Sequence, residues 1–511
     1  EILMSLKILK SIVNKIEKTC VYDIAIRTPL EKASNLSRKL DNNIFIKRED
    51  LQPIFSFKLR GAYVKIKNLI DKKKIKSIIA ASAGNHAQGV AMSALKLGIK
   101  AIIVMPKTTP LIKVDAVKLL KAKVILHGDS YDDAYSYAVK KSKMDQLDFI
   151  HPYDDEDVIS GQGTMAMEIL QQVDNKPDYI FVPVGGGGLL AGIVTYFSVH
   201  SPKTKIITVE PEDSDCYNQA FIKRKRVVLK DVGIFADGVA VKQIGKLPFA
   251  LTKKYVDSSL LVTTDEICAS IKDLYDETRT IAEPAGALSL AGIKKYLSTH
   301  NISNKNIICI FCGANMNFDR LRHVSERADL GELNEMLVGV EIPEVPGSFK
   351  KFCSVIGKRS ITEFNYRYSD TLKANVFAGI KISDGKDEKK NVLKKLKLNG
   401  YKVKDFTDNE MAKLHIRYMV GGSSNTSHTE FVFRFIFPEK PGELLNFLNS
   451  IGSAWNISLF HYRNHGADFG RVLIGFQVNR LEHAKLLKHL KSLNYNFHEE
   501  SSNTAYKLFL Q

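Results

Sequence analysis

Seven short, almost uninterrupted apolar runs between residues 44 and 315 constrain this chain more than any other feature. They are Ile44-Phe45-Ile46, Ile78-Ile79-Ala80-Ala81, Ala101-Ile102-Ile103-Val104-Met105, Val124-Ile125-Leu126, Tyr179-Ile180-Phe181-Val182, Ile206-Ile207-Thr208-Val209 and Ile307-Ile308-Cys309-Ile310-Phe311, with amphipathic helical stretches between them. A strand that is apolar at nearly every position needs both faces covered, and parallel sheets flanked by helices provide that. The expected fold class is α/β.

After residue 330 the pattern changes and repeats. Pro343-Glu344-Val345-Pro346-Gly347-Ser348-Phe349, then Phe352 and Ile356-Gly357, match Pro438-Glu439-Lys440-Pro441-Gly442-Glu443-Leu444, then Phe447 and Ile451-Gly452. In the same register Phe364-Asn365-Tyr366-Arg367 matches Phe460-His461-Tyr462-Arg463, and Val376-Phe377-Ala378-Gly379 matches Val472-Leu473-Ile474-Gly475. Matched blocks in order indicate two copies of one small α+β module: a strand, a Pro-Gly turn, an amphipathic helix and a hairpin-like strand pair. Gly421-Gly422-Ser423-Ser424-Asn425-Thr426-Ser427 reads as the linker between them.

At 511 residues the chain is too long for a single core. The formal charge of +18 invites a nucleic-acid reading. The lysines, however, are spread beside apolar residues, as in Lys72-Lys73-Lys74 and Lys394-Lys395, with no arginine-rich block; a solvated surface and no nucleic-acid partner are expected. No apolar run is long enough for a membrane span, and the N-terminal stretch lacks a signal peptide's apolar core, so the expected location is cytoplasmic, away from membranes. Cys309 and Cys312 form a CxxC, but on a strand the two thiols face opposite sides, so no metal site is expected.

Four segments carry chemistry. Ser56-Phe57-Lys58-Leu59-Arg60-Gly61-Ala62 places a lysine among apolar neighbours at a helix entry. Taken alone, it reads better as a surface lysine lying along the fold; the other reading is a desolvated amine suited to a Schiff base and a general base. The strand at 179–184 runs into Gly185-Gly186-Gly187-Gly188-Leu189 and an apolar helix, the arrangement that cradles a phosphate. The same glycines satisfy GxGxxA through Ala191, and Glu210 ends the next strand about where a ribose-binding acid would sit, so a dinucleotide fold stays open. Ser82-Ala83-Gly84-Asn85-His86-Ala87-Gln88-Gly89 is another strand-to-helix turn, rich in small donors and suited to a carboxylate or phenolate oxygen. Phe311-Cys312-Gly313-Ala314-Asn315 leaves room for a planar ligand beside the backbone.

Together with Ala282-Glu283-Pro284-Ala285-Gly286-Ala287 and the paired modules, these segments resemble the fold-type II PLP-dependent enzymes and, among them, the biosynthetic threonine dehydratase family. The resemblance covers nearly the whole chain. It implies a two-subdomain parallel-sheet catalytic domain over 1–325, a neck over 326–337, and ACT-like regulatory modules over 338–420 and 430–511. It implies pyridoxal 5'-phosphate as cofactor, with Lys58 as its covalent anchor and base. Asn85 would meet the pyridoxal 3-oxygen, Gly185, Gly186, Gly187, Gly188 and Leu189 the phosphate, and Cys312, where a serine is the expected family residue, the pyridine nitrogen. Ser82, Asn85 and His86 would meet the substrate carboxylate. L-Threonine as substrate, 2-oxobutanoate and ammonia as products, isoleucine as inhibitor, valine as its opponent and a homotetramer complete what the resemblance implies. The alternatives are a fold-type II enzyme acting on serine, as dehydratase or racemase, and a NAD-dependent oxidoreductase.

Overall fold

The computed structural model describes residues 2–343, 348–357, 359, 361–368, 373–383, 385–418, 429–438, 447, 450–451, 455–463 and 469–510. The two Pro-Gly turns and the 421–427 linker lie outside them. The chain divides into two compact units, Glu1–Ala328 and Asp329–Gln511. Among the described residues no helix is long and apolar enough to cross a membrane.

All seven apolar runs are strands of the first unit, which holds two sheets. The larger has the spatial order Leu30–Lys32, Asn43–Arg48, Asn306–Phe311, Tyr179–Pro183, Lys205–Pro211, Ser258–Val262. It is parallel except for its first strand, which pairs antiparallel with Asn43–Arg48. The smaller is wholly parallel, in the order Lys123–Leu126, Lys100–Met105, Ser77–Ala81, Asp148–Phe149. Its unbroken apolar runs have the expected cause: Ile78 and Ala80 enter one core, Ile79 and Ala81 the core on the opposite face.

Helix Lys58–Lys72 crosses helix Glu156–Gln172 closely enough that a Cβ on Gly161 would lie 2.6 Å from the Arg60 carbonyl oxygen. Beneath this crossing Arg60 is fully buried between Glu49 (2.8 Å) and Glu168 (2.6 Å). Lys47, equally buried, also reaches Glu168 and the Thr28 carbonyl. Two cations and two carboxylates out of water survive only when each is paired. They pin the first turn of the helix that Lys58 begins.

In the second unit the repeat is visible strand for strand. One sheet runs Ile361–Tyr368, Lys373–Lys381, Glu335–Pro343, Lys402–Asp405; the other runs Asn456–Arg463, Phe469–Val478, Thr429–Pro438, Asn496–Glu499. Both are antiparallel, and both slip register at the same place, between Ile361 and Glu363 and between Ile457 and Leu459. The matched Phe352 and Ile356, and Phe447 and Ile451, are buried in their respective cores. Each copy also has a fourth strand, preceded by helix Gly385–Leu398 or His483–Ser492, that the matched blocks do not reach. A third core joins the copies through Leu337 and Phe377 from one and Val432 and Leu473 from the other.

Candidate active site

Lys58 is the first residue of its helix, and a neighbouring segment fixes where that helix starts. Ser56 bridges antiparallel to Gly313, the Phe57 N–H donates to the Cys312 carbonyl at 3.2 Å, and the Ala314 N–H donates to the Phe55 carbonyl at 2.9 Å. This short ladder sets Lys58 against the end of strand Asn306–Phe311. The side chain is partly buried, and among the described residues its amine makes no hydrogen bond or ion pair. Burial lowers its pKa to about 8, against the opposing pull of Cys312 and Glu283. It is not a surface lysine. Capture of pyridoxal phosphate by the apoenzyme requires the neutral amine. Stopped-flow absorbance should therefore show the capture rate rising about 10-fold per pH unit below pH 8 and levelling above it.

The tetraglycine loop is a cradle from which side chains are excluded. A Cβ on Gly186 would lie 2.1 Å from the Tyr153 ring, and one on Gly185 would lie 2.9 Å from Val239. Gly187 has φ +88°, a left-handed conformation that glycine tolerates without strain. Helix Gly188–His200 starts there with no side-chain cap, so its first N–H groups point at the loop. Such a terminus fits a phosphate dianion. Glu210, the acid a dinucleotide site would need, is buried instead, and its two oxygens accept the backbone N–H groups of Tyr217 (2.8 Å) and Asn218 (2.7 Å). The dinucleotide reading loses its acid.

The asparagine loop lies at the start of helix Asn85–Lys96. Asn85 donates to Glu283 at 2.6 Å and accepts from Asn315 at 2.7 Å. The Ser82 hydroxyl accepts the Gly84 N–H at 3.1 Å, which shapes the turn. His86 is buried; its Nε2 meets the Ile150 carbonyl at 3.0 Å, so Nε2 carries the proton and Nδ1 is a bare acceptor. Burial, reinforced by Lys58, depresses its pKa to about 3. The imidazole therefore offers a carboxylate neither charge nor a second N–H. What residue 86 brings to this loop is its backbone amide in the first helical turn.

Cys312 is buried, and its thiol meets the Ala285 carbonyl at 3.3 Å. Burial, with Glu283 beside it, pushes the thiol pKa well up and keeps it neutral. The CxxC partner Cys309 is buried within its strand. Two residues in the cluster were not singled out from the sequence. Glu283, quoted only as part of a motif, is buried beside Asn85; a carboxylate between small residues and directly before a helix-starting proline was its one signal. Tyr153, whose ring walls the glycine loop, carried none.

A lysine amine of lowered pKa, an asparagine amide, a neutral thiol and a glycine loop at an uncapped helix start fit pyridoxal phosphate. Residues 21–313 match the model for pyridoxal-phosphate dependent enzymes. Residues 326–416 and 421–510 each match the C-terminal regulatory domain of threonine dehydratase. The biosynthetic L-threonine dehydratase IlvA of Burkholderia multivorans is 50% identical over 97% of this chain and 98% of its own. That of Escherichia coli is 50% identical over 96% and 95%. Among solved structures, the processed form of threonine deaminase isoform 2 from Solanum lycopersicum is 47% identical, with TM-score 0.62 over 63% of this chain and 88% of that one. Maize serine racemase is 29% identical, with TM-score 0.58 over 62% and 96%. The chain belongs to the pyridoxal-phosphate dependent enzymes and, within them, to the biosynthetic threonine dehydratases.

Proposed function

We propose that this enzyme deaminates L-threonine by β-elimination of water, giving 2-oxobutanoate and ammonia, the first committed step of isoleucine biosynthesis. Isoleucine inhibits it through the Asp329–Gln511 unit, and valine opposes isoleucine. The carrying observation is the amine of Lys58, lowered to about 8 by burial and set beside Cys312, Glu283 and the asparagine loop.

Lys58 anchors the cofactor and then moves the proton at the substrate Cα. Asn85 would offer an N–H to the pyridoxal 3-oxygen, and the Gly185–Leu189 backbone would hold the phosphate. Bound pyridoxal phosphate supplies the sink for the electron pair left on Cα. Cys312, a thiol that burial keeps neutral, would meet the pyridine nitrogen and would not fix a proton there as a carboxylate would. That favours prompt loss of the β-hydroxyl as water over transamination. The substrate carboxylate would meet the 82–86 loop, with the Ser82 hydroxyl and the backbone N–H groups of Asn85 and His86 as donors, since the Asn85 side-chain amide serves Glu283 and the 3-oxygen. Aminocrotonate leaves, tautomerises and hydrolyses to the products. A cytoplasmic homotetramer is part of the same proposal and rests on likeness to the family.

A substrate panel tests it. Discrimination by one methyl group in an apolar pocket is about 10-fold or more in kcat/KM, so L-threonine should exceed L-serine by at least that factor. Equal turnover of L-serine, or release of D-serine, would move the assignment to a serine enzyme. Added isoleucine should lower the initial rate; a rate indifferent to it would remove the regulatory half alone.

A further inference from the structure

We propose that Glu283 is a positioning residue for the cofactor, holding the Asn85 amide so that its second N–H faces the pocket, with its negative charge strengthening that hold. This rests on the reading of Asn85 as the partner of the pyridoxal 3-oxygen.

A chain of donors and acceptors leaves one orientation. The Ile54 carbonyl can only accept, and it takes an N–H from Asn315 Nδ2 at 2.8 Å. The same nitrogen donates to Asn85 Oδ1 at 2.7 Å, so the oxygen end of the Asn85 amide faces Asn315. The nitrogen end then faces Glu283, donating to Oε1 at 2.6 Å. An amide nitrogen has two hydrogens, and this bond uses one. Among the described residues Glu283 alone holds the nitrogen end of this amide, while Asn315 holds the oxygen end.

The surroundings make room for the carboxylate. A Cβ on Gly313 would lie 2.3 Å from Glu283 Oε1 and 3.3 Å from Asn85 Nδ2, so only glycine fits there. The Glu283 N–H donates to the Gly313 carbonyl at 3.2 Å, tying the residue to the strand end that also fixes Lys58. The charged groups acting on Glu283 are on several elements. Asp237 disfavours its ionisation, while Lys113 and Arg320, both paired with Asp237, favour it. Lys58 and Cys312 lie close enough to interact with it. Burial first, then Asp237, raises its pKa to about 7, against the Asn85 hydrogen bond. The raised pKa puts the ionised form above neutrality and the protonated form below, so the hold on Asn85 weakens as pH falls.

The test compares pyridoxal phosphate dissociation constants, read by fluorescence on resolved full-length enzyme, for wild type, Glu283→Gln and Asn85→Ala across pH 6 to 9. Because Glu283 also raises the Lys58 pKa, the Lys58 titration is measured in each variant by stopped-flow capture and divided out of the ratio. A charge-assisted hydrogen bond exceeds a neutral one by roughly 1 kcal/mol, so the Glu283→Gln to wild-type ratio should rise from near one at about pH 6 to roughly 5-fold at about pH 8.5. A constant ratio, or one near unity throughout, would overturn the proposal while Asn85→Ala still binds weakly. Unchanged binding by Asn85→Ala would overturn the Asn85 reading as well. Should Glu283→Gln not fold, Glu283→Asp keeps the charge, and its dissociation constant relative to that of Asn85→Ala should change with pH as the wild-type one does; a ratio to Asn85→Ala that does not change with pH would overturn the proposal equally.

Discussion

Replacing Lys58 with alanine is expected to abolish the visible absorbance of the holoenzyme and to lower kcat by about 10⁴-fold or more. The size follows from two roles held by one amine. As anchor it fixes the cofactor by a covalent bond; as base it moves the Cα proton. No other described residue can take over. His86 is neutral with its one N–H committed to Ile150, and the Cys312 thiol is held protonated by burial. The amine makes no ion pair among the described residues, so the variant should melt near the wild-type temperature of the apoenzyme. Circular dichroism and steady-state kinetics on the same preparation check both halves.

The second large effect lies in the phosphate cradle. Gly186→Ala places a Cβ 2.1 Å from Cδ1 of Tyr153, an overlap that only movement of the loop or the ring relieves. Losing two charge-assisted N–H contacts to a phosphate, at ~1.5 kcal/mol or more each, raises the pyridoxal phosphate dissociation constant on the order of 100-fold. Because the overlap is with one ring, Tyr153→Ala should rescue much of the loss when combined with Gly186→Ala. Fluorescence titration of the two single variants and the double variant reads this coupling; additive effects would mean that the cradle is not built as described.

The parts of the fold that were legible in the sequence are those where burial leaves a periodic mark. All seven apolar runs are strands; in six of them both sheet faces are largely covered, while Val124-Ile125-Leu126 is an edge strand whose Leu126 is exposed. Leu30–Lys32 carries no such mark because it is a three-residue edge strand with largely exposed side chains. Asp148–Phe149 is only two residues long, and Ser258–Val262, at the opposite edge, opens with two serines. The repeat was legible through its buried residues, whereas the fourth strand of each copy, Lys402–Asp405 or Asn496–Glu499, is mostly exposed and free to diverge.

Within the site, the glycine loop announces itself locally because four glycines join a strand to a helix, whereas Lys58, which alone reads as a surface lysine, stands out only together with the other segments. Glu283 does not, since its partner Asn85 is 198 residues away and only the fold brings them together. The role of the His86 ring was likewise invisible, being set by the Ile150 carbonyl 64 residues on.

The most direct test of the central claim is to reduce the holoenzyme with borohydride, digest it and locate the trapped pyridoxyl group by mass spectrometry. The expected result is one modified peptide, carrying the label on Lys58. A label on another lysine, or a protein that takes up no pyridoxal phosphate, would contradict it.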